Sequence, residues 1–216
     1  MRTVGVEEEL LVVDPTGVPV PLGPALLAEA ARRGAGRTVA EQEVAGHDAL
    51  DPGRARSFTG PQLVPELKQQ QVELGTRVCS GLDEVAAELQ RWRGEADAAA
   101  RAVGARVAAL ATSPLAVEDA PTSGERYRRM AEEFGLTAAE QLTCGCHVHV
   151  SVDGDDEGVG VIDRLRVWLP VLTALAANSP FWYGRDTGYQ SFRSQAWNRW
   201  PSAGVNGPYG LSLIHI

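Results

Sequence analysis

Hydrophobic and polar residues alternate with a period of two in several short stretches of the chain, and the first of these stretches lies near the N-terminus. Residues 3–13 read T-V-G-V-E-E-E-L-L-V-V and run into the turn sequence D-P-T-G. This pattern predicts a β-strand closed by a turn. Because side chains alternate between the faces of a strand, Glu7 and Glu9 are predicted to share one face, and Glu8 the other.

The same pattern predicts a mixed order of strands and helices further along the chain. The predicted strands cover 66–74, 105–114 and 142–152, and the predicted helices cover 23–36, 82–103, 125–134 and 161–178. Ser80 to Asp83 matches a capping box for the second helix, and Pro170 interrupts the last helix, which is apolar enough to be buried. Residues 44–60 are predicted to be a loop. The expected fold class is α+β.

Composition and charge narrow the function classes. Of 216 residues 44% are hydrophobic, so the chain is long enough for one domain, expected over residues 1–210. The net charge of −8 and a single lysine, Lys68, leave no basic patch for nucleic acid. No apolar run approaches the roughly 20 residues that cross a bilayer. Three cysteines without a disulfide framework, and acids at 7–9 where a secretory leader would be apolar, favour the cytoplasm.

Two cysteines and two histidines lie close together in C-G-C-H-V-H-V at residues 144–150. On a strand, Cys144 and Cys146 face one way, whereas His147 and His149 face the other. Four ligands divided between two faces cannot surround one tetrahedral zinc ion, so we expect the cysteines to pack behind the sheet. A single strand histidine is usually structural. Two on one face, in a chain with four histidines, favour a functional site.

Acidic residues on two predicted strands are candidate partners for these imidazoles. Glu7 and Glu9 lie side by side, and such carboxylates repel each other unless a cation is near. Glu66 and Glu73 lie on the strand predicted over 66–74. A solvated edge strand and a polar surface strand are the alternatives for these two segments. Carboxylates with one or two imidazoles form an oxygen-rich site that suits Mg²⁺ or Mn²⁺ better than a structural zinc.

Arginines and aromatic residues are interleaved in S-P-F-W-Y-G-R-D-T-G-Y-Q-S-F-R-S at residues 179–194. Guanidinium groups such as those of Arg185 and Arg193 bind carboxylates and phosphates through paired hydrogen bonds. The alternative is an aromatic loop packed on the sheet edge, with both arginines in salt bridges. The sequence contains no Walker A motif, so a bound nucleotide would not be held by a P-loop.

The last six residues, L-S-L-I-H-I at 211–216, differ from the rest of the chain. The bases CTG TCT CTT ATA CAC ATC encode them and match the adapter used in transposase-made sequencing libraries. We therefore expect residues 211–216 to be an artefact of sequencing. On this interpretation the chain lacks its natural C-terminal part.

Four of these segments together resemble the type 2 glutamate-cysteine ligase family, also called YbdK-like carboxylate-amine ligases. The segments are G-V-E-E-E-L, Q-V-E-L-G-T, the histidine segment and the arginine segment, and the likeness runs from residue 3 to about residue 208. The resemblance implies a glutamine-synthetase-like fold, in which a curved, mainly antiparallel sheet forms a funnel with helices outside. It also implies ATP-dependent joining of a carboxylate, such as glutamate, to an amine, such as cysteine, with Mg²⁺ or Mn²⁺.

The resemblance further implies roles for individual residues. Each role is carried over from the position of the residue in a matching segment. The implied metal ligands are Glu7, Glu9, Glu66, Glu73 and His147, with His149 as a neighbour that supports them. The implied substrate contacts are Arg185, Thr187, Tyr189 and Arg193, with Arg185 also catalytic.

Besides a related ATP-dependent ligase or phosphotransferase of the same fold that uses a different acid, two interpretations of function remain open. The first is an enzyme that activates a carboxylate as an acyl phosphate for attack by an amine, although the chain as given is expected to be inactive without the family's closing segment. The second is a non-catalytic protein of the same fold that binds metal or nucleotide. Small-molecule substrates are the expected partners, and the sequence leaves homo-oligomerisation open.

Overall fold

The computed structural model describes residues 1–36, 62–204 and 207. The loop predicted over 44–60 and the segment 211–216 lie outside the described residues. The strands are β1 (Val4–Val13), β2 (Gln62–Pro65), β3 (Gln71–Gly75), β4 (Arg106–Ala108), β5 (Cys146–Val150), β6 (Phe181–Trp182) and β7 (Arg185–Asp186). The helices are α1 (Gly23–Arg32), α2 (Leu82–Ala102), α3 (Glu125–Phe134), α4 (Leu136–Ala139), α5 (Asp155–Leu165), α6 (Leu169–Leu175) and α7 (Phe192–Trp197), with a 3₁₀ turn over Arg166–Trp168.

A five-stranded antiparallel sheet forms the centre of the molecule, and β1 is its central strand. One edge of β1 pairs with β3, which in turn pairs with β2. The other edge of β1 pairs with β5 along its first half and with β4 at its end. The register places Glu9 opposite Glu73 and Glu7 opposite His147. The predicted α+β class with a mainly antiparallel sheet is confirmed.

One face of this sheet is covered by α1 and α2, and it forms the main hydrophobic core. Leu10 and Val12 of β1 and Val72 and Leu74 of β3 are buried there against helix residues such as Trp92. Each such side chain contributes about 1.5–3 kcal/mol by leaving water. Because the strand period is two, the residues between them face the other way. That second face, called the acid face below, carries Glu7, Glu9, Glu66, Glu73, His147 and His149.

The acid at position 8 lies on the helix-covered face. Glu8 is 6% exposed, and both of its carboxylate oxygens accept hydrogen bonds from Arg93 of α2, at 2.6 and 2.7 Å. Glu8 thus lies on the opposite face from Glu7 and Glu9, as the alternation predicted, and its contact with Arg93 gives it a structural role. Its ion pair fastens α2 to β1.

The strand predicted over 66–74 begins later than predicted, at Gln71 of β3, because residues 66–70 form the turn of a β2–β3 hairpin. Glu66 consequently follows one strand instead of beginning another. The polar side chains of residues 68–70 in this turn contact the segment before α3. Lys68 is buried and pairs with Asp119, and the amide nitrogen of Gln70 donates to the carbonyl oxygen of Glu118 at 2.7 Å. Such distant partners leave no signal in the local pattern.

Other predicted boundaries also need correction. No side-chain capping bond from Ser80 opens α2, which has Gly81 at its N-cap; the backbone N–H of Ser80 donates instead to Glu84 at 3.2 Å. The predicted end of that helix agrees with the structure, as does α3. The strands predicted over 105–114 and 142–152 shorten to β4 and β5, because their flanking residues make isolated bridges and loop contacts.

The helix predicted to be buried over 161–178 is exposed, and it begins earlier than predicted. It is divided into α5 and α6 by the 3₁₀ turn, and Pro170 lies in the first turn of α6 instead of at the break. Val167 is 72% exposed and Leu175 80% exposed. Apolar composition predicted burial, but no described element covers these side chains. Across the described residues, none of the helices combines the length and apolar character needed to cross a membrane.

Candidate metal centre

Two histidines and a glutamate form the first cluster on the acid face. Glu7 Oε2 lies 3.2 Å from His147 Nδ1 and 3.0 Å from His149 Nε2. The antiparallel register explains the contact, since Glu7 pairs directly with His147, and His149 is two residues along β5 on the same face. Both imidazoles are about half exposed. The three side chains present ligand atoms within 4.8 Å of one another.

Three carboxylates from three places in the chain form the second cluster. Glu9 of β1, Glu73 of β3 and Glu66 at the end of β2 present oxygens within 4.8 Å of one another. Glu9 faces Glu73 across the sheet, and the hairpin turn brings Glu66 to the same place. Because Glu7 and Glu9 are neighbours on one strand face, the two clusters adjoin.

The pKa values of the three carboxylates in the second cluster are raised above those of free glutamate side chains. Burial, with the charge of Glu66 next, raises the pKa of Glu9 to about 7. The same two causes, followed by Glu7 and Glu9, raise the pKa of Glu73 to about 8. Burial also raises the pKa of Glu66. Like charges held together in this way are stabilised by a divalent cation, which replaces the protons.

Gly145 lies at the junction of the two clusters, and it is not among the predicted site residues. Its N–H donates to Glu9 at 2.9 Å, and its carbonyl oxygen accepts from the backbone N–H of Glu9 at 3.0 Å. A Cβ at this position would lie 3.0 Å from His147 Nε2 and 3.2 Å from Arg193 Nη2. Glycine inside a strand pattern often marks such a close approach, so the C-G-C sequence carried a signal.

Arg193 is the predicted substrate residue that the structure brings to the clusters. It lies in α7, donates through Nε to the carbonyl oxygen of Cys144 at 2.7 Å, and stacks on Trp197 with its Cζ 5.3 Å from the ring centre. Its positive charge lowers the pKa of the neighbouring Glu9. The guanidinium is therefore oriented beside a carboxylate of the second cluster.

The other predicted substrate residues lie in a separate two-stranded sheet, β6–β7. Arg185 is exposed in β7, opposite Trp182. Thr187 donates its hydroxyl to the carbonyl oxygen of Pro180 at 2.7 Å, and the Tyr189 ring packs against Phe192. The side chains of Thr187 and Tyr189 therefore contact their own loop.

The cysteines behave differently from each other. Cys144 is buried with Leu11, Val13 and Leu142, so it packs as a small hydrophobic residue as predicted. Leu11 and Val13 lie on the same face of β1 as Glu7 and Glu9, so the predicted position of Cys144 behind the sheet is wrong. Cys146 is exposed, so its predicted burial behind the sheet is wrong. Cys146 is the first residue of β5, an edge strand that pairs with β1 along one side. Among the described residues, neither cysteine belongs to a cluster of potential metal ligands.

The fold and the site define a class: an α+β protein whose sheet carries a candidate metal centre of carboxylates and imidazoles on one face. Residues 3–212 match the family model of Glutamate-cysteine ligase family 2 (GCS2). The chain belongs to this family.

Individual relatives agree with this assignment. The chain is 50% identical, over 97% of its length and 50% of the relative's, to "Putative glutamate--cysteine ligase 2-1" of Paenarthrobacter aurescens. It is 49% identical, over 97% of its length and 52% of the relative's, to "Putative glutamate--cysteine ligase 2" of Streptomyces coelicolor. The chain thus spans about half the length of the curated relatives it matches.

One similar solved structure is titled "Crystal structure of novel glutamine synthase homolog". The match has a TM-score of 0.42 and 20% sequence identity, and it covers 83% of this chain and 38% of the other. The funnel of the predicted glutamine-synthetase-like architecture stays a prediction.

Proposed function

We propose that this chain provides the metal- and nucleotide-binding part of an ATP-dependent carboxylate-amine ligase. The observation that carries the proposal is the pair of adjoining clusters on the acid face, in a chain that belongs to glutamate-cysteine ligase family 2. Relatives with about 50% identity carry the names "Putative glutamate--cysteine ligase 2-1" and "Putative glutamate--cysteine ligase 2", which supports glutamate as the acid and cysteine as the amine. The proposed ions are Mg²⁺ or Mn²⁺, since the donors are mostly carboxylate oxygens.

The residues fit such ions in number and kind. Glu9, Glu66 and Glu73 would hold one ion, and Glu7 with His147 would hold a second. His149 contacts the same oxygen of Glu7 as His147 does, so it orients that carboxylate. When bound, the ions would neutralise the phosphate charges of ATP and help a phosphoryl group to transfer.

The proposed reaction has two steps. An oxygen of the substrate carboxylate attacks the γ-phosphorus of ATP, the bond to the β-phosphate oxygen breaks, and ADP leaves. The amine nitrogen then attacks the carbonyl carbon of the acyl phosphate and loses a proton, inorganic phosphate leaves, and an amide remains. The first step is needed because a carboxylate is a poor electrophile at neutral pH.

The arginines of residues 179–194 would orient the substrates. Arg193 is already fixed beside Glu9 by Cys144 and Trp197, so it can hold an anionic group near the ions. Arg185 is proposed to contact the carboxylate or the phosphoryl group during transfer, with Thr187 and Tyr189 beside it. An oriented arginine contributes several kcal/mol to such a transition state.

A phosphate-release assay on the full-length protein, obtained by sequencing the locus past Gly210, tests the proposal. We expect release from ATP that requires a divalent ion, an amino acid carboxylate and an amine, and that falls about 100-fold or more in Glu9→Gln. Glu8→Gln is the matched control for a loss of stability alone, because Glu8 lies on the opposite face of the sheet, in the ion pair with Arg93. Metal binding without any release would instead favour the non-catalytic alternative.

A further inference from the structure

Three arginines on α3 have different environments. Arg128 pairs with Glu125 and Glu132, and Arg129 pairs with Glu125. Arg126 has no ion pair within 4.0 Å among the residues that the structure describes. Its guanidinium instead lies over the ring of Tyr127, with Cζ 5.5 Å from the ring centre.

The start of α3 is fastened to the hairpin that carries the second cluster. The Tyr127 hydroxyl donates to the carbonyl oxygen of Pro65 at 3.1 Å, and the Thr122 hydroxyl donates to that of Glu66 at 2.5 Å. The Thr122 N–H donates to Leu67 at 2.9 Å. Arg126 therefore sits on a helix whose position is tied to the residues on either side of Glu66.

The geometry places Arg126 beside this cluster, because its guanidinium lies over the ring of Tyr127, whose hydroxyl donates to the residue before Glu66. Burial raises the pKa of Glu66 and that of Glu73, and the positive charge of Arg126 partly offsets this rise. Arg126 is exposed, so its donors are accessible from solvent. An arginine close to acidic groups and without a paired carboxylate can bind an oxyanion that bridges it to metal ions held by those acids.

We propose that Arg126 is an oxyanion-binding residue at the edge of the Glu9–Glu66–Glu73 cluster, and that it positions a phosphate or carboxylate group of a substrate against the metal. This inference rests on the proposed metal centre. Neither the pattern of residues 125–134 nor the four segments that carry the family resemblance pointed to this arginine. Arg126 and Arg193 would approach the cluster from different elements, α3 and α7.

Binding titrations on the 216-residue chain test this role without catalysis. Mn²⁺ affinity is measured first, and then the affinities for inorganic phosphate and for glutamate, each with and without Mn²⁺. The variants are Arg126→Gln and Arg126→Lys, and Arg129→Gln is the control on the same helix. The phosphate and glutamate arms show which oxyanion is held.

We expect Arg126→Gln to weaken binding of one oxyanion about 10-fold in the presence of Mn²⁺, and Arg126→Lys to weaken it less, because charge is kept and the guanidinium fork is lost. At pH 8.5 the affinity of Arg126→Gln for Mn²⁺ should rise, because removing a positive charge near the acids favours a divalent ion more than a proton. Arg129→Gln should change neither affinity.

The expected changes in oxyanion affinity and in Mn²⁺ affinity have opposite signs, which separates this role from a structural one. A loss of both affinities in Arg126→Gln, or no loss of oxyanion affinity, would overturn the proposal. Absence of Mn²⁺ binding by the wild-type chain would contradict the metal centre itself. The titrations without Mn²⁺ would then decide the role of Arg126 separately, since equal oxyanion affinities of the wild type and Arg126→Gln would reject it.

Discussion

Gly145 shows how strongly the candidate site depends on one small residue. We predict that Gly145→Ala weakens Mn²⁺ binding about 10-fold or more, because the added methyl group would displace His147 and Arg193. Gly5→Ala, in the same sheet, is the control, since a Cβ at Gly5 would meet no atom within 4 Å. Calorimetric titration of both variants checks the prediction. Equal metal affinities would show that the junction tolerates a side chain.

The raised pKa values at Glu9 and Glu73 predict a pH dependence of stability without metal. Their folded pKa values, about 7 and about 8, exceed the unfolded values near 4.5, so the native state binds more protons between these limits. Stability contributed by the protonated acids is therefore full below about pH 4.5 and falls as pH rises to about 8. Thermal unfolding from pH 5 to 8.5, with and without Mn²⁺, measures this effect.

Bound Mn²⁺ should reduce or reverse this loss, because it stabilises the ionised carboxylates. In Glu73→Gln the metal-free decline should be smaller, since one titrating group is gone. A melting temperature that rises with pH in the absence of metal would contradict the assigned burial of these acids.

At the scale of elements, the ion pair between Glu8 of β1 and Arg93 of α2 is expected to stabilise the folded state. Arg93→Ala would leave the buried carboxylate of Glu8 without its partner, so we expect a loss of about 1–3 kcal/mol in the free energy of unfolding. Arg91→Ala, an exposed arginine 3.9 Å from Glu88, should cost less than about 1 kcal/mol. Urea unfolding compares them, and equal losses would refute the structural role of Glu8.

The sequence predicted the elements whose pattern is local. Strand alternation placed Glu7 and Glu9 on one face and Glu8 on the other, and it placed His147 and His149 together. The turn between β2 and β3 was missed because its polar side chains are held by residues 118–121, far along the chain. Arg126 was missed for a similar reason, since its proximity to Glu66 depends on how α3 docks on the hairpin.

The exposure of α5 and α6 has a consequence for the whole molecule. Large apolar side chains such as Val167, Trp168 and Leu175 are in water, and surfaces of this kind promote association. We predict that the 216-residue chain elutes earlier in gel filtration as its concentration rises. Val167→Lys with Leu175→Lys should abolish this dependence and leave Mn²⁺ affinity unchanged, because these residues lie outside the clusters. Unchanged association would refute a contribution of this surface.

The central claim is that the acid face binds a divalent metal ion. A Mn²⁺ titration at pH 8, with binding detected by electron paramagnetic resonance, tests it most directly. The account predicts that the wild-type chain binds Mn²⁺, that Glu73→Gln and His147→Ala each weaken binding about 10-fold or more, and that Cys144→Ala with Cys146→Ala does not. Loss of Mn²⁺ with the cysteines, and retention in Glu73→Gln and His147→Ala, would contradict it.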